Sequence, residues 1–173
     1  MDNSLLNIIK NRRSIRAFQE KEISQELIDK LIEALIWAPS AGNLQSRKFY
    51  FILNKVARKE LVETALKQSF AAQAPLVVVC CLDLGTAGKY GEKGKNLYSV
   101  CDVAASIQNM MLLAHEQGLG TCWIGAFDEE KVSEVLKLPE NLRPIAIIPV
   151  GYPAEKPSPP HRVSKEEAVK LIE

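Results

Sequence analysis

The sequence predicts an α+β fold in one domain, and three observations predict it. Stretches with apolar residues at helical spacing alternate with short β-branched runs. No strand is followed by the glycine turn of a dinucleotide-binding α/β unit. No repeat and no flexible linker divides the 173 residues, a length that supports one core and falls short of two ordinary domains. The domain is expected to run over residues 1–173.

Leu5 to Lys10 reads as a short helix. Ser24 caps a second, in which Leu27, Ile28, Leu31, Ile32, Leu35 and Ile36 recur at helical spacing and beyond which Pro39 lies. Lys48 to Leu53 is a strand rich in aromatic and apolar residues, and Val56 to Gln68 a third helix. In Pro75 to Leu84, Val77, Val78 and Val79 favour extended backbone, which predicts a buried strand. Glycines at 85, 88, 91 and 94 remove side-chain restraint at every third position, so Gly85 to Asn96 is expected to be a mobile loop.

Ser99 to Gln117 is the second strong helix, stopped by Gly118. Val100, Val103, Ala104, Ile107, Met110, Met111 and Ala114 give it a broad apolar face. That face is wider than one helix in a domain of this size normally buries, which predicts a two-fold interface along it. Thr121 to Ala126 is a short extended piece, Asp128 caps a helix through Leu136, and Arg143 to Val150 is a β-branched strand. Pro153, Pro157, Pro159 and Pro160 form a stiff arm, and Ser164 with Glu167 is a capping box opening a terminal helix.

A net charge of +1 argues against nucleic-acid binding, which usually shows a large basic excess. No apolar run reaches the roughly 18 residues of a membrane span, and Met1-Asp2-Asn3-Ser4 lacks the basic start and apolar core of a signal peptide. The cytoplasm is the expected location. Cys80 and Cys81 point to opposite faces of a strand, no C-x-x-C pair exists, and only His115 and His161 add nitrogen ligands. No metal is expected, and Cys80, Cys81, Cys101 and Cys122 read as small buried hydrophobes in a reducing compartment.

The run from Gly85 to Lys95 follows a valine-rich strand, where a phosphate loop would sit. A Walker motif needs four residues between its glycines and Ser or Thr after its lysine, whereas five residues separate Gly88 from Gly94 and Asn96 follows Lys95. Gly118-Leu119-Gly120 begins like a dinucleotide fingerprint, but Trp123 stands at the third glycine position and a helix precedes it. Two histidines leave no convincing nucleophilic triad; His115 reads as a helix-surface residue whose partial positive charge suits the helix C-terminus. The remaining route to chemistry is an organic cofactor.

Two polar clusters bracket the first strong amphipathic helix. Arg12-Arg13-Ser14-Ile15-Arg16 sets three guanidiniums around a hydroxyl, and arginine offers a planar fork of donors to anionic oxygens. Pro39-Ser40-Ala41-Gly42-Asn43-Leu44-Gln45 sets small and amide side chains in a loop that a flat polar heterocycle can approach closely. One chain carrying both suggests a phosphorylated cofactor with a planar head group.

The order of these motifs, followed by Gln108-Asn109 in the long helix and by Gly118-Leu119-Gly120-Thr121-Cys122-Trp123-Ile124-Gly125, resembles the nitroreductase family of FMN-dependent oxidoreductases from about Asn7 to Arg162. The resemblance implies a three-layer fold, a mixed and mainly antiparallel sheet flanked by helices, and an obligate homodimer with FMN at its interface. By the same resemblance Arg12, Arg13, Ser14 and Arg16 match the N-terminal motif, where the first arginine and the serine reach the phosphate and ribityl end. Arg16 then lies nearer the flavin's pyrimidine edge. Pro39, Ser40, Ala41, Asn43 and Gln45 match the loop that the partner subunit lends to the ring. Trp123, Ile124 and Gly125 match the segment against the isoalloxazine, and Arg162 stands where the family places a late basic residue on the phosphate. Pro160-His161-Arg162 departs from the usual Lys-x-Arg, and Lys67-Gln68 matches loosely the Asn and Lys that larger members supply after the third helix.

The implied activity is hydride transfer from NADH or NADPH through flavin to a nitroaromatic, a quinone or free flavin, with ping-pong kinetics. Two other readings stand beside it. One is a family member with dehalogenase or flavin-destructase chemistry; the other is a flavin-binding sensor or carrier without turnover. No side chain is expected to act as a catalytic acid or base.

Overall fold

The computed structural model describes residues 4–172, and the signal-peptide reading of Met1 to Asn3 lies outside them. Strands β1 (Arg47–Ile52), β2 (Leu76–Asp83), β3 (Gly120–Thr121) and β4 (Leu142–Gly151) form one sheet in the order β1-β2-β4-β3. Every neighbouring pair is antiparallel, and the parallel component expected of a mixed sheet is a single bridge between Ser14 and Thr121. The helices are α1 (Leu5–Asn11), α2 (Gln25–Ile36), α3 (Lys55–Ala65), α4 (Leu84–Ala87), α5 (Gly91–Lys93), α6 (Ser99–Glu116), α7 (Glu129–Leu136) and α8 (Lys165–Ala168).

The alternation of side chains along β2 creates the three layers. Leu76, Val78, Cys80 and Leu82 face α2 and α6, where Ile28, Leu31, Leu35, Val103, Ile107 and Met110 complete one buried cluster. Val77, Val79 and Cys81 face the other way, onto Leu61, Val62 and Ala65 of α3 and Val132 of α7. Both faces are sealed, so β2 is a continuous apolar run rather than an alternating one. Each buried Leu or Val contributes about 1.5–3 kcal/mol relative to exposure. The two thiols of Cys80 and Cys81 are buried on opposite faces, and burial pushes Cys81 up to about 12. Cys101 departs from expectation: it lies exposed on α6.

Local signals set the helix ends. The Ser24 hydroxyl accepts from the Leu27 amide, and Asn54 and Asp128 cap α3 and α7 in the same way. At the end of α6, Gly118 turns left-handed (φ 76°), which lets the Leu119 amide reach Ala114 O (2.7 Å) and its own amide reach His115 O (3.1 Å). Two ends fall short of the sequence reading. α3 stops at Ala65 and a 3₁₀ turn covers Ser69–Gln73, while the terminal helix is the four residues of α8, its capping box intact.

The glycine-rich segment is the main correction. Residues 84–98 are not a loop but consecutive short helical turns that lead into α6, kinked at Gly91 (φ 59°, ψ −150°). Asp83 starts them by accepting from the amides of Gly85 and Thr86. Gly94 is buried against Ala87, and a β-carbon there would overlap the Ala87 carbonyl. Gly94 thus serves close packing of one turn on the next, while Gly91, with open space where a β-carbon would lie, supplies the positive φ of the kink.

The helical run Leu84–Glu116 has the length and composition of a membrane span, but Val103, Ile107 and Met110 are fully buried against the sheet. That makes it a core helix. Five of the seven residues of its apolar face, namely Val103, Ile107, Met110, Met111 and Ala114, are spent on the chain's own core, leaving Val100 and Ala104 partly open.

Candidate functional site

α1 ends at Asn11 and the chain leaves it extended, with the Arg12 amide still bonded to Ile8 O (3.0 Å). The next residues lie along β3, where the Ile15 amide donates to Thr121 O (2.9 Å). This register directs Arg12, Ser14 and Arg16 to one side while buried Ile15 covers Gly120. A β-carbon on Gly120 would stand 2.6–3.0 Å from Ile15 side-chain carbons, so the strand contact needs glycine. Gly120→Ala is expected to cost about 1–3 kcal/mol by overpacking and to loosen the arginine segment, measured as a lower Tm; an unchanged Tm would show that Ile15 yields freely.

One cation cluster forms at this end. Arg12 is half-buried, its Nη1 is sealed from solvent, and that atom has no hydrogen-bond partner among the described residues. Burial lowers the Arg12 pKa, and the charges of Arg13 and Arg162 lower it further. Arg13 caps the end of α1, donating to Lys10 O (2.6 Å) and Arg12 O (2.8 Å), and Arg162 donates to His161 O (3.1 Å). Cys122 lies beside them, its thiol raised by burial and pulled back by Arg16, by a hydrogen bond with Ser14 and by Arg12. Glu155 accepts from the Arg16 amide. The structure thus gathers Arg12, Arg13, Ser14, Arg16 and Arg162 around one spot, with Cys122 and Glu155 added to the set the sequence predicts.

A cavity of about 390 Å³ opens here, lined in part by Arg12, Arg13, His115, Thr121 and Lys156. His115 is half-buried rather than a surface cation, and burial and the charges of Arg12 and Arg13 all lower its pKa. The helix-dipole role expected of it is outweighed by two adjacent guanidiniums.

The second cluster is built by different anchors. Asp102, buried on α6, accepts from the Ala41 amide (2.9 Å) and the Ser46 hydroxyl (2.9 Å). Arg47 donates to Ile36 O (3.0 Å), Ala38 O (2.7 Å) and Pro39 O (3.1 Å), gripping the end of α2. Burial lowers the Arg47 pKa and the Asp102 charge opposes that. Between the anchors Ser40 Oγ accepts from the Gln45 amide (3.0 Å), while Gly42, Asn43 and Gln45 adopt φ of 53° to 55°. Pro39, Asn43 and Gln45 stand exposed and Ser40 and Ala41 half-buried.

The two clusters do not meet within one chain. Asp102 holds the loop near the start of α6 and His115 faces the arginines near its end; thirteen residues of helix at 1.5 Å each separate them by roughly 20 Å. The third predicted segment continues from β3: Ile124 is buried and exchanges both backbone hydrogen bonds with Ile147 (2.9 and 3.0 Å), which turns Trp123 (40% exposed) and Gly125 outward. The extended piece is therefore a two-residue strand plus one bridge. A further cavity, about 620 Å³, has Lys67, Gln68, Ala126 and Phe127 among its walls, so the loose Lys67-Gln68 match faces the end of this segment.

Sequence reasoning missed Asp102, Arg47, Thr121 and Glu155. Asp102 alone left a signal, an acid in line with buried positions of an apolar helix. The others act through backbone contacts that spacing does not disclose.

Comparison with known proteins gives this geometry a family. The family model described as "Nitroreductase family" matches residues 9–81 and 61–152. A Methanothermobacter thermautotrophicus protein, provisionally named NADH dehydrogenase/NAD(P)H nitroreductase, is 34% identical over 157 residues covering 88% of this chain and 79% of its own. The FMN reductase (NADPH) of Bacillus subtilis is 29% identical, with coverage of 95% and 72%. Among solved structures, the NADPH:FMN oxidoreductase of Vibrio harveyi complexed with NAD+ superposes with a TM-score of 0.88 at 26% identity, over 99% of this chain and 78% of that one. The chain belongs to the nitroreductase family.

Proposed function

We propose that this chain is an NAD(P)H-dependent FMN oxidoreductase that reduces a nitroaromatic, quinone or flavin acceptor, built as a single domain over residues 1–173 and acting as a cytoplasmic homodimer. The observation that carries the reading is the sealed, partnerless Nη1 of Arg12 within a cluster of guanidiniums. Cations held together with an unpaired buried donor call for an anion, and a 5′-phosphate fits the charge and the donor set.

Arg12, Arg13 and Arg162 would hold the phosphate, with the Ser14 hydroxyl beside them. Arg16, held through its amide by Glu155, would stand toward the ring and stabilise negative charge there in a site partly shielded from water. Trp123, Ile124 and Gly125 would line one side of the ring, the backbone bridge of Ile124 fixing that wall. FMN bound there would supply hydride transfer from NADH or NADPH to the acceptor, and one site serving nucleotide and acceptor in turn would give ping-pong kinetics.

Separation and exposure support a dimer. A loop roughly 20 Å along α6 from its own phosphate cradle reaches a flavin ring more readily in a second copy, and Pro39, Ser40, Ala41, Asn43 and Gln45 are proposed to serve the partner's ring. Leu5, Leu6 and Ile9 on α1, Trp37 at 77% exposure, and Val163, Val169, Leu171 and Ile172 on the arm leave apolar surface that a partner would cover. The four unpaired thiols suit a reducing compartment.

One experiment tests activity and assembly together. The purified protein is expected to be yellow, to sediment as a dimer at micromolar concentration, and to oxidise NADH or NADPH anaerobically with parallel-line kinetics against the acceptor. A yellow protein that consumes neither nucleotide would make it a flavin carrier; a monomer retaining FMN would reject the lent loop.

A further inference from the structure

Tyr90 has no part in the function above. It sits on the helical turns before α6, with its hydroxyl directly over Gly42 of the Pro39–Gln45 loop; a β-carbon on Gly42 would overlap that oxygen. Its ring stands edge-on to Tyr98, centroids 5.7 Å apart and planes at 82°. The Lys93 ammonium lies 5.5 Å from the centre of the Tyr98 ring. Two features hold the arrangement. Gly94 packs so closely beneath that its β-carbon would lie 2.9 Å from Tyr90 Cβ, and Glu92 pairs with Lys95 (3.3 Å) and Asn96 (3.1 Å) rather than with Lys93. Tyr90 nevertheless keeps 42% of its surface open.

We propose that Tyr90 and Tyr98 form an aromatic side wall of the acceptor site and that Lys93 is a specificity-determining cation selecting planar acceptors that carry a negative group. This rests on the reading that the Pro39–Gln45 loop lies over the partner's flavin ring, because Tyr90 travels with that loop. A flat acceptor above the ring then meets the open part of Tyr90, and an acidic substituent on its rim meets an ammonium that pairs with no carboxylate among the described residues. Edge-to-face aromatic contact orients the acceptor whatever its charge. The cation discriminates, and its effect is screened by salt.

The test compares 4-nitrobenzoate with the neutral isostere 4-nitrobenzamide on the FMN-loaded dimer, with NADH or NADPH saturating. Lys93→Gln is expected to raise KM for nitrobenzoate about three- to tenfold at low salt and to leave nitrobenzamide within about twofold. The difference should vanish near 0.5 M salt, where the screening length is about 4 Å. Tyr90→Ala should raise KM for both, and Tyr90→Phe should restore both, since the ring rather than the hydroxyl forms the wall. FMN content is expected to be unchanged in all three variants. Equal effects of Lys93→Gln on the two acceptors would overturn the selecting cation. Unaltered KM values in Tyr90→Ala with full FMN and full nucleotide oxidation would overturn the wall while leaving the oxidoreductase reading intact. Unsubstituted protein that binds no FMN or oxidises no nucleotide would instead overturn that reading.

Discussion

Arg12→Ala is expected to lower FMN affinity about ten- to hundredfold, the loss of a charge-assisted contact worth about 1.5–3 kcal/mol, and to erase most of the preference for FMN over riboflavin. The distinctive expectation is a change of sign between loaded and empty protein. Burial, Arg13 and Arg162 all depress the Arg12 pKa. A cation whose pKa is depressed on folding destabilises the folded chain wherever it is charged, which for arginine covers every working pH. Removing it should therefore leave the melting temperature of the FMN-free protein unchanged or higher while lowering that of the FMN-loaded protein. Fluorescence titration with FMN and riboflavin, and melting curves with and without FMN, read both halves. Equal affinities for FMN and riboflavin in the unsubstituted protein would remove the phosphate from this cradle. A large destabilisation of the empty variant would instead make Arg12 a structural side chain.

Much of this was legible in the residues, for reasons that differ by element. α2, α6, α7, β2 and β4 announce themselves because their burial period matches their backbone period and their caps are single residues: Ser24, Gly118 and Asp128. The turns at 84–98 were misread because glycine has two uses that a sequence does not separate. It frees a backbone, and it permits close approach; Gly94 against Ala87 is the second.

The cation cluster was legible as composition, since Arg12, Arg13, Ser14 and Arg16 are contiguous. The contributions of Glu155 and Thr121 were not, because each reaches the segment through a backbone group from a distant part of the chain. The resemblance carried by motif order already assigns the second cluster to a partner's ring; the length of α6 supplies the physical reason, since it sets the two clusters of one chain apart.

The buried Asp102 carboxylate leads to the second large effect. It receives two hydrogen bonds, from the Ala41 amide and from the buried Ser46 hydroxyl. It also offsets part of the cost of burying the Arg47 guanidinium, which holds three carbonyls at the end of α2. Truncation to alanine strands all of these at once, and orphaned buried partners are costly. Asp102→Ala is expected to destabilise the protein by about 2–4 kcal/mol, a melting-temperature drop of roughly 5–15 °C for a chain of this size. Asp102→Asn keeps an acceptor for Ala41 and a donor for Ser46 and loses only the charge near Arg47, so about 1 kcal/mol is expected. Because the anchor orders Ser40 to Gln45, the alanine variant should also bind FMN about tenfold less tightly, although Asp102 itself faces the loop backbone rather than any ligand. Denaturant melts at fixed FMN, with flavin titration of each variant, separate the two effects. Equal stability of Asp102→Ala and the unsubstituted protein would mean that Arg47 alone holds the loop. Loss of stability with undiminished FMN affinity would take Pro39 to Gln45 out of the flavin site.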